Sequence, residues 1–280
     1  MNTPGTVHSS HTAVVTSEDG TSISYQSQGT GPDLIIVPGA LSKAADFAGL
    51  AVALAGRFRV HTIERRGRGA SGPQSDHYGI AAEVADLKAV QAATGARLVF
   101  GHSFGAFVTL EAASRGMNFD RIALYEPGVS IDGSVPMGWA AQTQRQIDQG
   151  KHAEAFLTFI RGMNPDSTGK APLWLLRIII PLAIPKPERL QKYELLEGTI
   201  REHAEAAKLD NQYRKYAELK SQILLMVGKG VRDTGAGRST VQLAEALPGA
   251  TLVNFPKLDH FGYEKDPAGI ADAAAKFFNR

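Results

Sequence analysis

Arg97-Leu98-Val99-Phe100-Gly101-His102-Ser103-Phe104-Gly105-Ala106-Phe107-Val108 is the stretch on which the reading of this chain turns. The apolar run Leu98–Phe100 has the character of a strand buried on both faces of a parallel sheet. Helix-forming composition begins at Phe104 and continues to about Arg115. Between strand and helix lies Gly-x-Ser-x-Gly, with Gly101 and Gly105 flanking Ser103. A nucleophile on so sharp a turn is held in strained backbone geometry, and larger side chains at the flanking positions would collide with it. The turn lifts the Ser103 hydroxyl over the sheet edge, where the following helix N-terminus favours developing negative charge.

Working outward, strand and helix patterns alternate on both sides of this turn. Thr12–Val15 and Ser22–Gln26 alternate with period two around Glu18-Asp19-Gly20-Thr21, which predicts an opening hairpin. Leu34–Val37 is a buried strand that ends in Pro38-Gly39-Ala40-Leu41, followed by a helix from about Ala44 to Leu54 and a strand at Arg59–Ile63. The next segment, Glu64-Arg65-Arg66-Gly67-Arg68-Gly69-Ala70-Ser71-Gly72-Pro73, is too glycine-rich for either element. Gly79–Ala93 carries Ile80, Val84, Leu87 and Val90 at helical spacing, and Arg121–Tyr125 is a short strand closing on Glu126-Pro127-Gly128. The order predicts an α/β fold: a mostly parallel sheet with helices on both faces.

From about Ser130 to Ala217 the rhythm breaks. The helix candidates are Ala140–Gln149, Lys151–Arg161, Pro187–Glu197 and Thr199–Tyr216, with Pro165, Pro172, Pro181 and Pro185 as breakers. Strand patterns resume at Ile223–Val227 and Ala250–Phe255, and a helix from Pro267 to Phe278 follows. The expected organisation is a disordered tail over residues 1–11, a core made of 12–129 and 218–280, and an all-helical lid over 130–217. A lid inserted there would cover the C-terminal strand ends, where such sheets bind ligands.

Composition fits a soluble enzyme, expected in the cytoplasm. A formal net charge of +2 without a basic stripe gives no case for nucleic acid. Cysteine is absent, which excludes disulfides and thiolate metal sites, and no metal or cofactor is expected. The first residues lack a basic region followed by an apolar one, so they do not read as a signal peptide. Leu173–Ile184 is the most apolar stretch, but it is too short for a membrane span and is interrupted by Arg177 and Pro181, so no membrane partner is expected.

Four pieces in order resemble the α/β-hydrolase superfamily across nearly the whole chain: Val37-Pro38-Gly39-Ala40, Arg65-Arg66-Gly67-Arg68-Gly69 with Ser71-Gly72, Gly101-His102-Ser103-Phe104-Gly105, and Leu258-Asp259-His260-Phe261. The resemblance implies a chain order of Ser, then Asp or Glu, then His. Ser103 then serves as nucleophile and His260, between the last strand and the last helix, as the base that takes its proton. His102 is expected to point away from the serine. Asp259 is too close in sequence to fold back onto the imidazole. For the acid two residues stay open. The usual place, just past the strand at Ile223–Val227, offers Gly228-Lys229-Gly230-Val231, so Asp233 would have to be re-aimed by its glycine-rich loop. Glu126, at the end of the neighbouring strand, is ranked ahead of it, because some relatives place the acid there and glutamate is long enough to reach. The alternative for Glu126 is a structural pairing with an arginine of the Arg65–Arg68 loop.

The resemblance also assigns the oxyanion hole to the backbone N–H groups of Ala40 and Phe104, although Pro38 replaces the histidine usual before that glycine. It implies a serine hydrolase acting on an ester, lactone or related acyl compound, with a small, apolar molecule as the expected substrate. A serine at the elbow argues against the family's epoxide hydrolases and dehalogenases, which need a carboxylate nucleophile. Lyases, cofactor-free enzymes and ligand-binding receptors on the same fold remain as alternatives. Met137, Trp139 and Trp174 are the expected lid contributions to the substrate pocket, with Leu173–Ile180 serving either as the lid's own core or as that pocket's lining.

Overall fold

The computed structural model describes residues 10–165, 168–230 and 234–280. Strands β1 (His11–Thr16) and β2 (Ser22–Gln28) form the expected hairpin, paired antiparallel from His11 opposite Ser27 to Thr16 opposite Ser22. His11, expected in the tail, is therefore the first strand residue. Next come β3 (Asp33–Val37), α1 (Ala48–Ala55, entered through a 3-10 turn at Ala44–Phe47), β4 (Arg59–Glu64), α2 (Ile80–Thr94), β5 (Leu98–His102), α3 (Phe104–Ser114) and β6 (Arg121–Tyr125). The helical segment holds α4 (Ala140–Asp148), α5 (His152–Met163), α6 (Leu173–Ala183) and α7 (Lys186–Lys208). The core resumes with β7 (Gln222–Gly228), α8 (Gly235–Ala246), β8 (Thr251–Phe255), α9 (Gly262–Lys265) and α10 (Pro267–Phe278).

Among the described residues one eight-stranded sheet runs in the order β1-β2-β4-β3-β5-β6-β7-β8, antiparallel at β1, β2 and β4 and parallel from β4 onward. The period-two alternation of strands sorts side chains between its faces. On β3, Ile35 and Val37 pack with Val84, Leu87 and Leu110 of α2 and α3, while Leu34 and Ile36 pack with Phe47, Leu50 and Leu54 on the side of α1 and α10. β6 divides likewise, Ile122 and Leu124 facing one layer, Ala123 and Tyr125 the other. Both faces are buried, which is why these strands read as continuous apolar runs.

Two differences from expectation stand out in the lid. Helix α7 runs unbroken through Gly198, where two helices were expected. Its buried residues Leu195, Leu196, Thr199, Glu202 and Ala206 lie on both sides of that glycine, so packing on one continuous face outweighs the roughly 1 kcal/mol that a helical glycine costs. Helix α6 contributes little to the lid core: Leu176 is buried, whereas Trp174 is 63% and Leu182 82% exposed. The lid cluster is built instead from Ala155, Phe156, Leu195 and Leu196 around Leu41 of the core.

The arginine loop after β4 fastens the helical segment to the sheet and its flanking helices. Arg65 donates to both Glu83 oxygens (3.0 and 2.6 Å) and lies 3.1 Å from Glu202 Oε1. Arg66 makes a two-pronged contact with Asp86, both bonds 2.7 Å, and Arg68 donates to Glu202 at 2.6 Å. These groups are almost dry, so each charge depends on its partner. Burial works against the Arg65 cation, but Glu202 and Glu83 reverse that effect and raise its pKa. Replacing Glu202 with Ala takes the carboxylate partner from buried Arg68 and leaves Arg65 with Glu83 alone, and should cost about 3–5 kcal/mol of stability, read from the urea midpoint. A second expectation concerns Gly105, where a Cβ would strike the Val37 and Pro38 carbonyl oxygens. Gly105→Ala should cost about 1–3 kcal/mol. Gly138→Ala, with nothing near its added Cβ, should be close to neutral in the same thermal melt.

Candidate active site

Three neighbouring strands, β3, β5 and β6, converge on the site, and each is followed by a non-glycine residue with positive φ: Leu41 (56°), Ser103 (50°) and Glu126 (43°). Such backbone is costly and gathers where function requires it. At Ser103 (ψ −120°) the turn is held by hydrogen bonds. Its N–H donates to Tyr125 O at 3.0 Å, and its carbonyl accepts from Ala106, Phe107 and Gly128 at 3.0, 3.1 and 2.8 Å. The flanking glycines are sterically required. A Cβ on Gly101 would sit 2.6 Å from Ala106 Cα, and one on Gly105 2.2 Å from Val37 O.

His260 lies on the loop between β8 and α9. Its Nδ1 is 2.7 Å from Glu126 Oε2, and Glu126 Oε1 accepts the Gly228 N–H at 2.9 Å. Glu126 is 2% exposed, so these two contacts occupy a nearly dry carboxylate. The structural pairing considered for Glu126 is not what forms: Arg65, Arg66 and Arg68 are bonded to Glu83, Asp86, Asp19 and Glu202. Asp233 lies outside the described residues. Asp259 turns away from the ring, accepting from its own turn at Phe261 N and pairing with Lys265. Among the described residues no hydrogen bond joins the Ser103 hydroxyl to His260; contacts of this type tighten in the substrate complex.

The loop after β3 passes directly over the serine, since a Cβ on Gly39 would come 3.1 Å from Ser103 Cβ. Arg65 Nη1 donates to Gly39 O at 3.2 Å. The peptide between Gly39 and Ala40 is trans, so the Ala40 N–H points opposite to that carbonyl, away from the arginine. Phe104 opens α3, so its N–H belongs to the first-turn donors that lack a partner within the helix. Its ring lies under the Arg65 guanidinium at 4.7 Å.

His102, expected to point away from the serine, meets the loop that carries His260. Its Nε2 is 2.9 Å from the His260 carbonyl oxygen, which can only accept, so the proton is on Nε2. Burial, with the nearby His260 adding to it, pushes the His102 pKa well below the usual imidazole range and keeps the ring neutral. No motif spacing marks this contact; only the fold brings residues 102 and 260 together. Of the expected pocket residues, Trp139 is buried, donates to Pro136 O at 2.6 Å and lies edge-on to Phe159 and His203. It lines a lid cavity of ≈380 Å³ with Gln142, Thr158 and Arg161. Met137 is half-buried, and Trp174 faces solvent instead of a pocket. Among the described residues no group of three or more His, Asp or Glu is placed to hold a metal ion, and no helix is long and apolar enough to cross a membrane.

The chain is 33% identical over 156 residues to N-formylmaleamate deformylase of Pseudomonas putida, a match spanning 52% of this chain and 58% of that relative's length. An alpha/beta hydrolase from Sphaerobacter thermophilus superposes with a TM-score of 0.79 at 29% identity, over 95% of this chain and 100% of that one. The enol-lactonase of Burkholderia xenovorans shares the fold at 20% identity, with a TM-score of 0.73 over 96% and 100% of the two chains. Residues 34–273 match the alpha/beta hydrolase family, and the chain belongs to that family.

Proposed function

We propose that the protein is a serine hydrolase that cleaves a small acyl compound (an ester, a lactone or a related amide) through an acyl-enzyme. The observation that carries this reading is the 2.7 Å contact between Glu126 and His260 Nδ1, made beside a serine held in strained geometry. Because the Glu126 carboxylate accepts a hydrogen bond from Nδ1–H, the lone pair of neutral His260 resides on Nε2, the tautomer a general base needs. Ser103 attacks the acyl carbon as His260 accepts its proton, and the same proton passes to the leaving group. The oxyanion is received by the Ala40 and Phe104 N–H groups. Water, deprotonated by His260, then releases the acid and restores Ser103. Glu126 balances the imidazolium throughout.

An apolar acyl group is supported by Leu41, which follows Ala40 and packs with Phe156, Leu195 and Leu196 of the lid. The names of the relatives, a deformylase and an enol-lactonase, support inclusion of N-formyl amides and lactones beside esters.

Ser103→Ala should abolish turnover and organophosphonate labelling while the melting temperature stays put. Labelling of another serine in the wild type would refute the assignment. Glu126→Gln should lower kcat on the order of 10⁴-fold, the effect of losing the imidazolium's partner, whereas Asp233→Asn should change it at most a few-fold. The opposite result would transfer the acid to Asp233. Efficiency toward p-nitrophenyl esters should rise from acetate to hexanoate by about 0.8 kcal/mol per buried methylene, and a maximum at acetate would remove the apolar preference.

A further inference from the structure

The loop that carries His260 lies beyond the sheet, with Pro256, Lys257 and Phe261 exposed on it. Its three central carbonyls are nonetheless each held by a different strand end. Leu258 O accepts the Lys229 N–H just past β7 at 2.6 Å. Asp259 O accepts the Tyr125 hydroxyl at the end of β6, also at 2.6 Å. His260 O accepts His102 Nε2–H at the end of β5, at 2.9 Å. Strands β5, β6 and β7 are consecutive neighbours in the sheet, so three adjacent strands grip three consecutive peptide groups.

The grip is closely built. Glycine at 228 lets the loop approach, since a Cβ there would lie 2.6 Å from Leu258 O and 3.0 Å from the Tyr125 hydroxyl. Tyr125 and His102 are buried and their rings are 6.1 Å apart; His102 also packs on Tyr263 at 4.5 Å and on the His260 ring at 4.7 Å. His102 Nδ1 is buried without a partner, leaving the Nε2 bond to His260 as the polar contact that accounts for a histidine here.

We infer that Tyr125 and His102 are positioning residues, which by clamping the Asp259 and His260 carbonyls hold the His260 ring against Glu126 and in reach of Ser103. This rests on the serine-hydrolase reading above. Two of the three donors are side chains, so the clamp can be opened without altering any group that meets the substrate. The need is geometric: a misplacement of about 1 Å in a reacting group costs up to roughly a hundredfold in rate.

The test uses the full-length protein with Tyr125→Phe, His102→Asn and His102→Gln. Phenylalanine removes only the hydroxyl. Asparagine is too short to reach His260 O, and glutamine restores a donor at the reach of Nε2. Tyr125→Phe and His102→Asn should each lower kcat roughly ten- to hundredfold with KM within about twofold, the pattern of a displaced reacting group. His102→Gln should recover most of that loss. The downfield His260 Nδ1–H proton resonance should broaden through faster exchange in the two impaired variants and sharpen again in His102→Gln. If Tyr125→Phe melts like the wild type yet keeps kcat within about twofold and leaves that resonance unchanged, the clamp is overturned, whatever the folding of the His102 variants. A purely structural role predicts lower melting temperatures with normal turnover per Ser103 titrated, and this too would overturn it. Should Ser103→Ala retain activity while the resonance still responds to Tyr125→Phe, the hydrolase reading falls and the clamp stands.

Discussion

The Arg65 guanidinium is the contact on which the site's arrangement depends. It is 1% exposed and reaches four separate parts of the molecule. Glu83 anchors it to α2 and Glu202 to the lid helix α7, while it donates to the loop after β3 and lies over the Phe104 ring at the elbow. An unpaired cation in such a place would be untenable, so the two carboxylates are obligatory. With its charge balanced, the arginine becomes a rigid donor that fixes the Gly39 carbonyl and thereby aims the Ala40 N–H. Attachment of the helical segment and orientation of the Ala40 N–H thus share one buried group, and a change to either is felt by the other.

Around this anchor the chain tolerates backbone strain that only close packing can hold. Ser103 and Glu126 both have positive φ, and both are locked by hydrogen bonds from the adjacent strand: Ser103 N–H to Tyr125 O, Glu126 N–H to Met226 O. Sheet hydrogen bonding is continued one residue past each strand and then stopped by the turn. Glycines at 39, 101, 105 and 128 make room where backbones meet. The strain is local, while the cost is spread over the parallel sheet and its two buried faces.

Much of this was legible in the sequence because it is local. The elbow announces itself through two glycines at fixed spacing, and the buried strands through short apolar runs. The place of His260 follows from its position between the last strand and the last helix. The apolar face of α7 was visible too, but Gly198 read as a boundary; a propensity penalty of this size yields to tertiary packing. What stayed hidden were contacts between residues remote in sequence. His102 and His260 are separated by 158 positions, and nothing in composition indicates that one holds the carbonyl of the other. Trp174 misled for the opposite reason: apolar character promised burial, whereas α6 turns most of its surface to solvent.

On the proposed reading, an acid at Glu126 has a physical logic in the sheet itself. The resemblance to the superfamily puts an acid just past β7, whereas the last residue of β7, Gly228, donates its backbone N–H to Glu126. A carboxylate displaced by one strand must bridge an inter-strand spacing of about 4.8 Å, which favours glutamate over aspartate. Positive φ at Glu126 turns the chain at the strand end, and Tyr125, one residue earlier, reaches the peptide before His260. Two successive residues of β6 and its end thus meet the same loop, one at the ring and one at the backbone. On the proposed reading, moving the acid to β6 brings charge partner and loop support together on one rigid interior strand of the sheet rather than on the glycine-rich segment that follows β7.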